Sequence, residues 1–235
     1  MSKTDVPAQD ATASRRRERR ILILATSLGF LLFLPLTLLL PNVGPVFRIF
    51  TNPSTSMMPT LRTGSLSVVS RASYGYSRYS FDNFALPIDG RWPALAPRRG
   101  DVVIFRLPRD HTTHFVKRVV GLPGDRIQMI KGRLSINGQV VRIEPGPRIP
   151  DPFGSKGDVP THVETLPEGV SYSIIKLDGD GRPFDNTAVF AVPPGHLFML
   201  GDNRDNSVDS RELSPRYGVG YVPFELVVGR VVASF

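Results

Sequence analysis

Residues 21–40, ILILATSLGFLLFLPLTLLL, carry no charged side chain. At about 1.5 Å of rise per residue such a run spans about 30 Å, the hydrocarbon thickness of a bilayer. A buried helix of a soluble domain would show a polar face. A cleavable signal peptide has a shorter apolar region ending at an Ala-x-Ala-like site, whereas here Pro41-Asn42-Val43-Gly44-Pro45 follows. The run therefore reads as a retained transmembrane anchor; Pro35 inside it is tolerable in a membrane helix. Beyond residue 45 the period changes to short apolar and alternating stretches between turn residues. Val46–Phe50, Leu66–Val69, Asp101–Phe105, His114–Val120, Arg126–Ile130, Leu134–Ile136, Gln139–Val141, Val189–Val192, His196–Leu200 and Val227–Ala233 read as strands, with Asn137-Gly138 a hairpin turn. Residues 143–170, rich in Pro, Gly and Asp, read as an elaborated and partly mobile insertion. The expected fold is mostly β, tethered by one N-terminal transmembrane helix.

Composition supports that pattern. The 235 residues include 22 prolines and 21 glycines, which favour short elements over long helices, and 41% hydrophobic residues, enough to bury a core. With no cysteine, disulfides, thiolate nucleophiles and cysteine-bound zinc are excluded. Of the net charge of +8, the first 20 residues carry +3, from Lys3 and five arginines between Arg15 and Arg20 against Asp5, Asp10 and Glu18. Cations on that side of the anchor place residues 1–20 in the cytoplasm and residues 45–235 on the far side of the membrane. The remaining charge is spread out, which argues against a nucleic-acid stripe and suits lipid proximity or plain solubility. Residues 73–98 gather Tyr74, Tyr76, Tyr79, Phe81, Phe84 and Trp92. They read either as a hairpin with its own small cluster or as an aromatic lobe at the membrane interface.

Three segments carry candidate chemistry. In Pro53-Ser54-Thr55-Ser56-Met57-Met58-Pro59-Thr60 two prolines stiffen a serine-bearing turn, though small polar residues between prolines are commonly just a loop. In His114–Asp125, alternation puts Phe115, Lys117 and Val119 on one strand face. If that face is covered, desolvation lowers the amine's pKa and makes it a base for a hydroxyl; if not, the side chain reaches from an edge strand to water. Gly201-Asp202-Asn203-Arg204-Asp205-Asn206-Ser207-Val208-Asp209-Ser210-Arg211 is dense in local hydrogen-bonding groups. Its two arginines and the missing calcium-loop spacing favour a rigid support over a metal site. Four histidines are present, yet no His-Glu-x-x-His or Gly-x-Ser-x-Gly motif nominates a metal or triad site.

Together, Ser54–Leu61, Arg99–Phe105, Lys117–Asp125 and Gly201–Arg211 resemble, in order and spacing, the boxes of the bacterial type I signal peptidases. The resemblance covers residues 45–235 and the preceding anchor. It implies a signal-peptidase-like β catalytic domain with a peripheral β insertion over about residues 141–195, in the bacterial cytoplasmic membrane with its catalytic domain on the outer face. It implies Ser56 as nucleophile and Lys117 as general base, with the Ser56 N–H and Ser54 hydroxyl as the oxyanion hole. Ser207 would hydrogen-bond Lys117, and Asp209 and Arg211 would brace the site. Met57, Leu61, Phe115 and Val116 fall where the family lines shallow pockets suited to Ala-x-Ala sites. No cofactor or metal is implied. The expected partners are signal peptides of exported preproteins, the secretion translocon and membrane lipids, and not nucleic acid. Three departures bear on the pocket: Thr55 stands where glycine is usual, Ser65 where an acidic residue is common, and Thr51-Asn52 where the approach is usually apolar. They leave room for a related Ser-Lys peptidase with a narrow client, such as a pilin-like or conjugation precursor. A membrane-tethered binding protein that keeps the fold without activity is a third reading.

Overall fold

Alternation between inward apolar and outward polar residues carries the chain from Val46 onward through antiparallel strands. The computed structural model describes residues 44, 46–151, 154, 157–176, 181, 182 and 184–235. The expected cytoplasmic tail and the 21–40 anchor lie outside the described residues. Among the described residues no helix is long and apolar enough to cross a membrane. Helical structure there consists of two short 3-10 turns, Arg71–Tyr74 and Phe224–Leu226.

The main sheet has seven strands in the order Phe47–Thr51, Leu66–Ser70, Val227–Ser234, Val102–Arg106, His114–Gly121, His196–Leu200 and Val222–Pro223. Neighbours pair antiparallel, with Val103 opposite Lys117 and Ile104 opposite Val116. The sheet curls enough to bring the ring of Phe50, on its first strand, to 5.2 Å from that of His114, on its fifth. A second sheet, ordered Phe190–Ala191, Arg126–Ile130, Arg133–Ile136, Gln139–Val140, packs beside it. Its hairpin turns on Asn137 and Gly138, both at positive φ (54° and 83°), as an Asn-Gly turn requires.

The 143–170 stretch is more ordered than its composition suggests. Arg142–Pro145, Thr161–Thr165 and Ser171–Ile175 form a three-stranded antiparallel sheet. Its Leu166, Tyr172 and Ile174 join Val120, Ile127, Met129, Leu134, Phe198 and Leu200 in one buried cluster. A second cluster, around Val103, Phe105, Val119, Leu197, Met199 and Val227, fills the other side of the sheet. The aromatic 73–98 stretch contains the small hairpin Tyr76–Ser77 with Arg91–Trp92. Phe81 stacks there between Tyr76 and Phe84, with ring centroids at 5.9 and 4.6 Å.

Candidate active site

The turn after the first strand holds Ser56 nearly buried, at 6% exposure. Two backbone bonds shape it: the Met58 N–H donates to the Thr55 carbonyl (3.0 Å) and the Leu61 N–H to the Met57 carbonyl (2.9 Å). The Ser56 N–H donates to Ser54 Oγ at 3.1 Å, and Ser54 itself faces solvent.

Lys117 comes from the middle of His114–Gly121 and is 3% exposed. Its face of the strand is covered, so its charge has little water. Its Nζ lies 2.7 Å from Ser56 Oγ and 3.0 Å from the Val116 carbonyl oxygen, with the Phe115 ring centroid at 5.3 Å. Desolvation brings its pKa from 10.5 down to about 8, against the opposing pull of Asp209 and Asp202 and with help from Arg211. An amine in that range is neutral often enough near neutral pH to accept a hydroxyl proton. The Val116 carbonyl fixes one Nζ hydrogen in either state and so aims the free lone pair of the neutral amine.

The loop Gly201–Arg211 forms the rest of the wall. Asp209 receives Arg211 Nε and Nη2, both at 2.8 Å, and the Gly201 N–H at 3.1 Å. The Arg211 guanidinium holds the buried Asp209 carboxyl below the usual carboxylate range, against desolvation, which alone would raise it. Ser207 Oγ is buried without a hydrogen-bond partner among the described residues. The expected Ser207–Lys117 hydrogen bond is therefore not made in this structure. The hydroxyl is held instead against Gly201, where an ideal Cβ would fall 2.2 Å from Ser207 Oγ and 2.6 Å from the Ser56 carbonyl oxygen. Met57 and Leu61 are buried beneath the turn. Val116 and Phe50 pack half-buried on Ile104, Val69 and Val228, and Phe115 on the cluster around Phe105.

Sequence reasoning missed the clamps behind these groups. Arg204 pairs at both nitrogens with Glu164 of the insertion, and Tyr172 Oη also donates to that carboxylate. Arg118 pairs with Asp202 (2.8 and 2.6 Å) and reaches the Gly100 carbonyl. The Asn203 N–H donates to the Ser56 carbonyl at 3.0 Å. The departures have partners as well. Asn206 Nδ2 donates to Thr55 Oγ1 (2.7 Å), and Asn52 Nδ2 donates to Ser65 Oγ and Ser67 Oγ, both at 2.8 Å. Density of Asp, Asn and Arg marked the loop; nothing local to Glu164 marked its partner 40 residues on.

The structure is a β-dominated domain in which a desolvated lysine lies within hydrogen-bond reach of a nearly buried serine. Residues 25–235 match the family model described as "Signal peptidase, peptidase S26". Signal peptidase I of Rickettsia typhi (strain ATCC VR-144 / Wilmington) is 40% identical over 190 residues, 77% of this chain and 69% of that protein. The Rickettsia canadensis (strain McKiel) signal peptidase I is 41% identical over 190 residues, 77% of this chain and 68% of that one. A signal peptidase I crystal structure from Enterococcus faecalis V583 is 23% identical, covers 59% of this chain and 98% of its own, and has a TM-score of 0.33. The chain belongs to the signal peptidase family, peptidase S26, and is a hydrolase, a serine endopeptidase.

Proposed function

We propose that this enzyme removes signal peptides from exported preproteins through a Ser56–Lys117 dyad. The observation that supports this most directly is the 2.7 Å contact between Lys117 Nζ and Ser56 Oγ, made by an amine whose pKa is near 8.

Neutral Lys117 takes the Ser56 hydroxyl proton as Oγ bonds to the scissile carbonyl carbon. The carbonyl π electrons move to oxygen, and the Ser56 N–H and Ser54 O–H receive that charge. Binding of substrate takes the Ser56 N–H away from Ser54 Oγ, its present acceptor, and lets the Ser54 hydroxyl turn to donate. The ammonium of Lys117 then gives its proton to the leaving amine as the C–N bond breaks. An acyl ester remains on Ser56. Water attacks that ester with Lys117 again taking a proton, and Ser56 is released with its own proton restored. No step requires a metal.

Met57 and Leu61, buried beneath the Ser56 turn, together with Phe115 and Val116 of the Lys117 strand, are the apolar side chains proposed to limit the substrate side chain to a small one, as at Ala-x-Ala sites. Residues 21–40 anchor the enzyme in the cytoplasmic membrane with the basic tail inside. Precursors reach the outer-face domain from the secretion translocon, beside membrane lipid. The test is mass analysis of a model preprotein incubated with the purified full chain. One cut after an Ala-x-Ala site, absent with Ser56→Ala, is expected; the same cut by Ser56→Ala would overturn the reading.

A further inference from the structure

Thr60 Oγ1 donates to Asp202 at the far end of the turn that carries Ser56, and three more hydrogen bonds fasten its start to the 201–211 loop. The Asn203 N–H holds the Ser56 carbonyl (3.0 Å), Asn203 Nδ2 holds the Thr55 carbonyl (3.3 Å), and Asn206 Nδ2 holds Thr55 Oγ1 (2.7 Å). The first two act on backbone oxygens and survive any side chain at position 55. The third exists only because a hydroxyl stands there, and a glycine could not make it.

We propose that Thr55 and Asn206 are a positioning pair that sets the orientation of the Ser56 nucleophile and its N–H; the inference rests on the dyad reading above. The Thr55 carbonyl and the Ser56 N–H belong to one planar peptide unit, so they turn together. Threonine is β-branched and stiff about χ1, so holding its Oγ1 fixes the Thr55 Cα that this peptide leaves from. The Asn203 bond then holds the carbonyl end, and the N–H end points where Ser54 Oγ now sits. The same restraint sets the angle from which Ser56 Oγ meets Lys117 Nζ. Thr55 thus gives the turn a side-chain restraint that a glycine could not supply, anchored on the loop that also carries Ser207, Asp209 and Arg211.

Asn206 is exposed and Thr55 only half-buried, so losing this bond leaves no fully buried group unpaired and the variants are expected to fold. A bond that only tied two loops together would change melting temperature and leave the chemical step alone.

The test is a double-mutant cycle in the detergent-solubilised full chain, reading single-turnover acylation of Ser56 by a preprotein with an Ala-x-Ala site. Thr55→Val and Asn206→Ala are each expected to slow acylation about tenfold, with KM within about twofold. The double variant is expected to be no slower than either single, and Thr55→Ser to restore the rate. Wild-type acylation by Thr55→Val, losses that multiply in the double variant, or a change in KM alone would overturn the proposal. Ser56→Ala runs in parallel: cleavage surviving there rejects the dyad itself, whatever the cycle returns.

Discussion

Among the described residues Lys117 Nζ makes two hydrogen bonds, one to Ser56 Oγ 61 residues away and one to the carbonyl of Val116 immediately before it. Only the first changes direction with protonation. The ammonium donates to the serine oxygen; the neutral amine accepts from the serine hydroxyl while still donating to Val116. The structure thus fits both halves of a proton shuttle without moving a heavy atom, and its cost is a cation kept out of water.

That cost is measurable. The fall in pKa from 10.5 to about 8 corresponds to about 3 kcal/mol of lost stability. Above about pH 10.5 the amine is neutral folded or unfolded and the penalty is absent. Between 10.5 and 8 the unfolded chain holds the extra proton, so stability declines as pH falls; below about 8 the whole penalty is present. Lys117→Met, similar in length and uncharged, should abolish cleavage yet raise stability at pH 7 by about 1 to 3 kcal/mol, after allowing for the two lost hydrogen bonds. Denaturant unfolding at pH 7 and pH 11 checks this, with the gain shrinking at the higher pH.

Asp209 pulls the other way on the same amine, as the largest attraction keeping its proton on. In Asp209→Asn that attraction goes and the Arg211 cation is left uncompensated. Both changes lower the Lys117 pKa further, so the acid limb of kcat/KM should move to lower pH. The same variant leaves Arg211 buried without a carboxylate, at about 3 to 5 kcal/mol of stability. In the wild type, the stability Asp209 contributes is present above its unfolded value of 3.8 and is lost as pH falls through its lowered folded value. A pH–rate profile and a melting curve read the two effects separately.

Strand alternation made much of this fold legible. Arg126–Ile130 and His196–Leu200 run over the residues expected, and Asn137-Gly138 turns as its sequence dictates. Thr161–Thr165 escaped because a proline- and glycine-rich neighbourhood surrounds it and one of its inward positions is Glu164, a carboxylate buried for Arg204. Alternation also told which face Lys117 shares but not whether that face is covered. Coverage comes from the Ser56 turn and the 201–211 loop, segments 61 residues before and over 80 after it in the chain. Ser207 was expected on Lys117 and instead lies against Gly201 with no hydrogen-bond partner among the described residues, a packing detail that spacing does not encode.

Gly201 is the tightest point of that packing. A methyl group there would meet Ser207 Oγ at 2.2 Å and the Ser56 carbonyl at 2.6 Å. The second is backbone and cannot swing aside, so the nucleophile turn must shift. Gly201→Ala should lower kcat by about 100-fold or more, since displacements near 1 Å cost that much. Steady-state kinetics on the folded variant, its fold checked by circular dichroism, gives the answer.

Ser54 is exposed and its hydroxyl accepts a single hydrogen bond, from the Ser56 N–H (3.1 Å), so Ser54→Ala should lower stability by no more than about 1 kcal/mol. If its hydroxyl receives charge from the substrate carbonyl, kcat should drop by about 10² to 10³ with KM little changed. Parallel kinetics and calorimetry would show the split.

The most direct test follows the Lys117 amine itself. NMR titration of the labelled Lys117 side chain in the folded full chain, set beside the pH dependence of kcat/KM, should give one shared midpoint near pH 8. A lysine that titrates at its ordinary 10.5 while cleavage is already at its plateau by pH 8 would contradict the account.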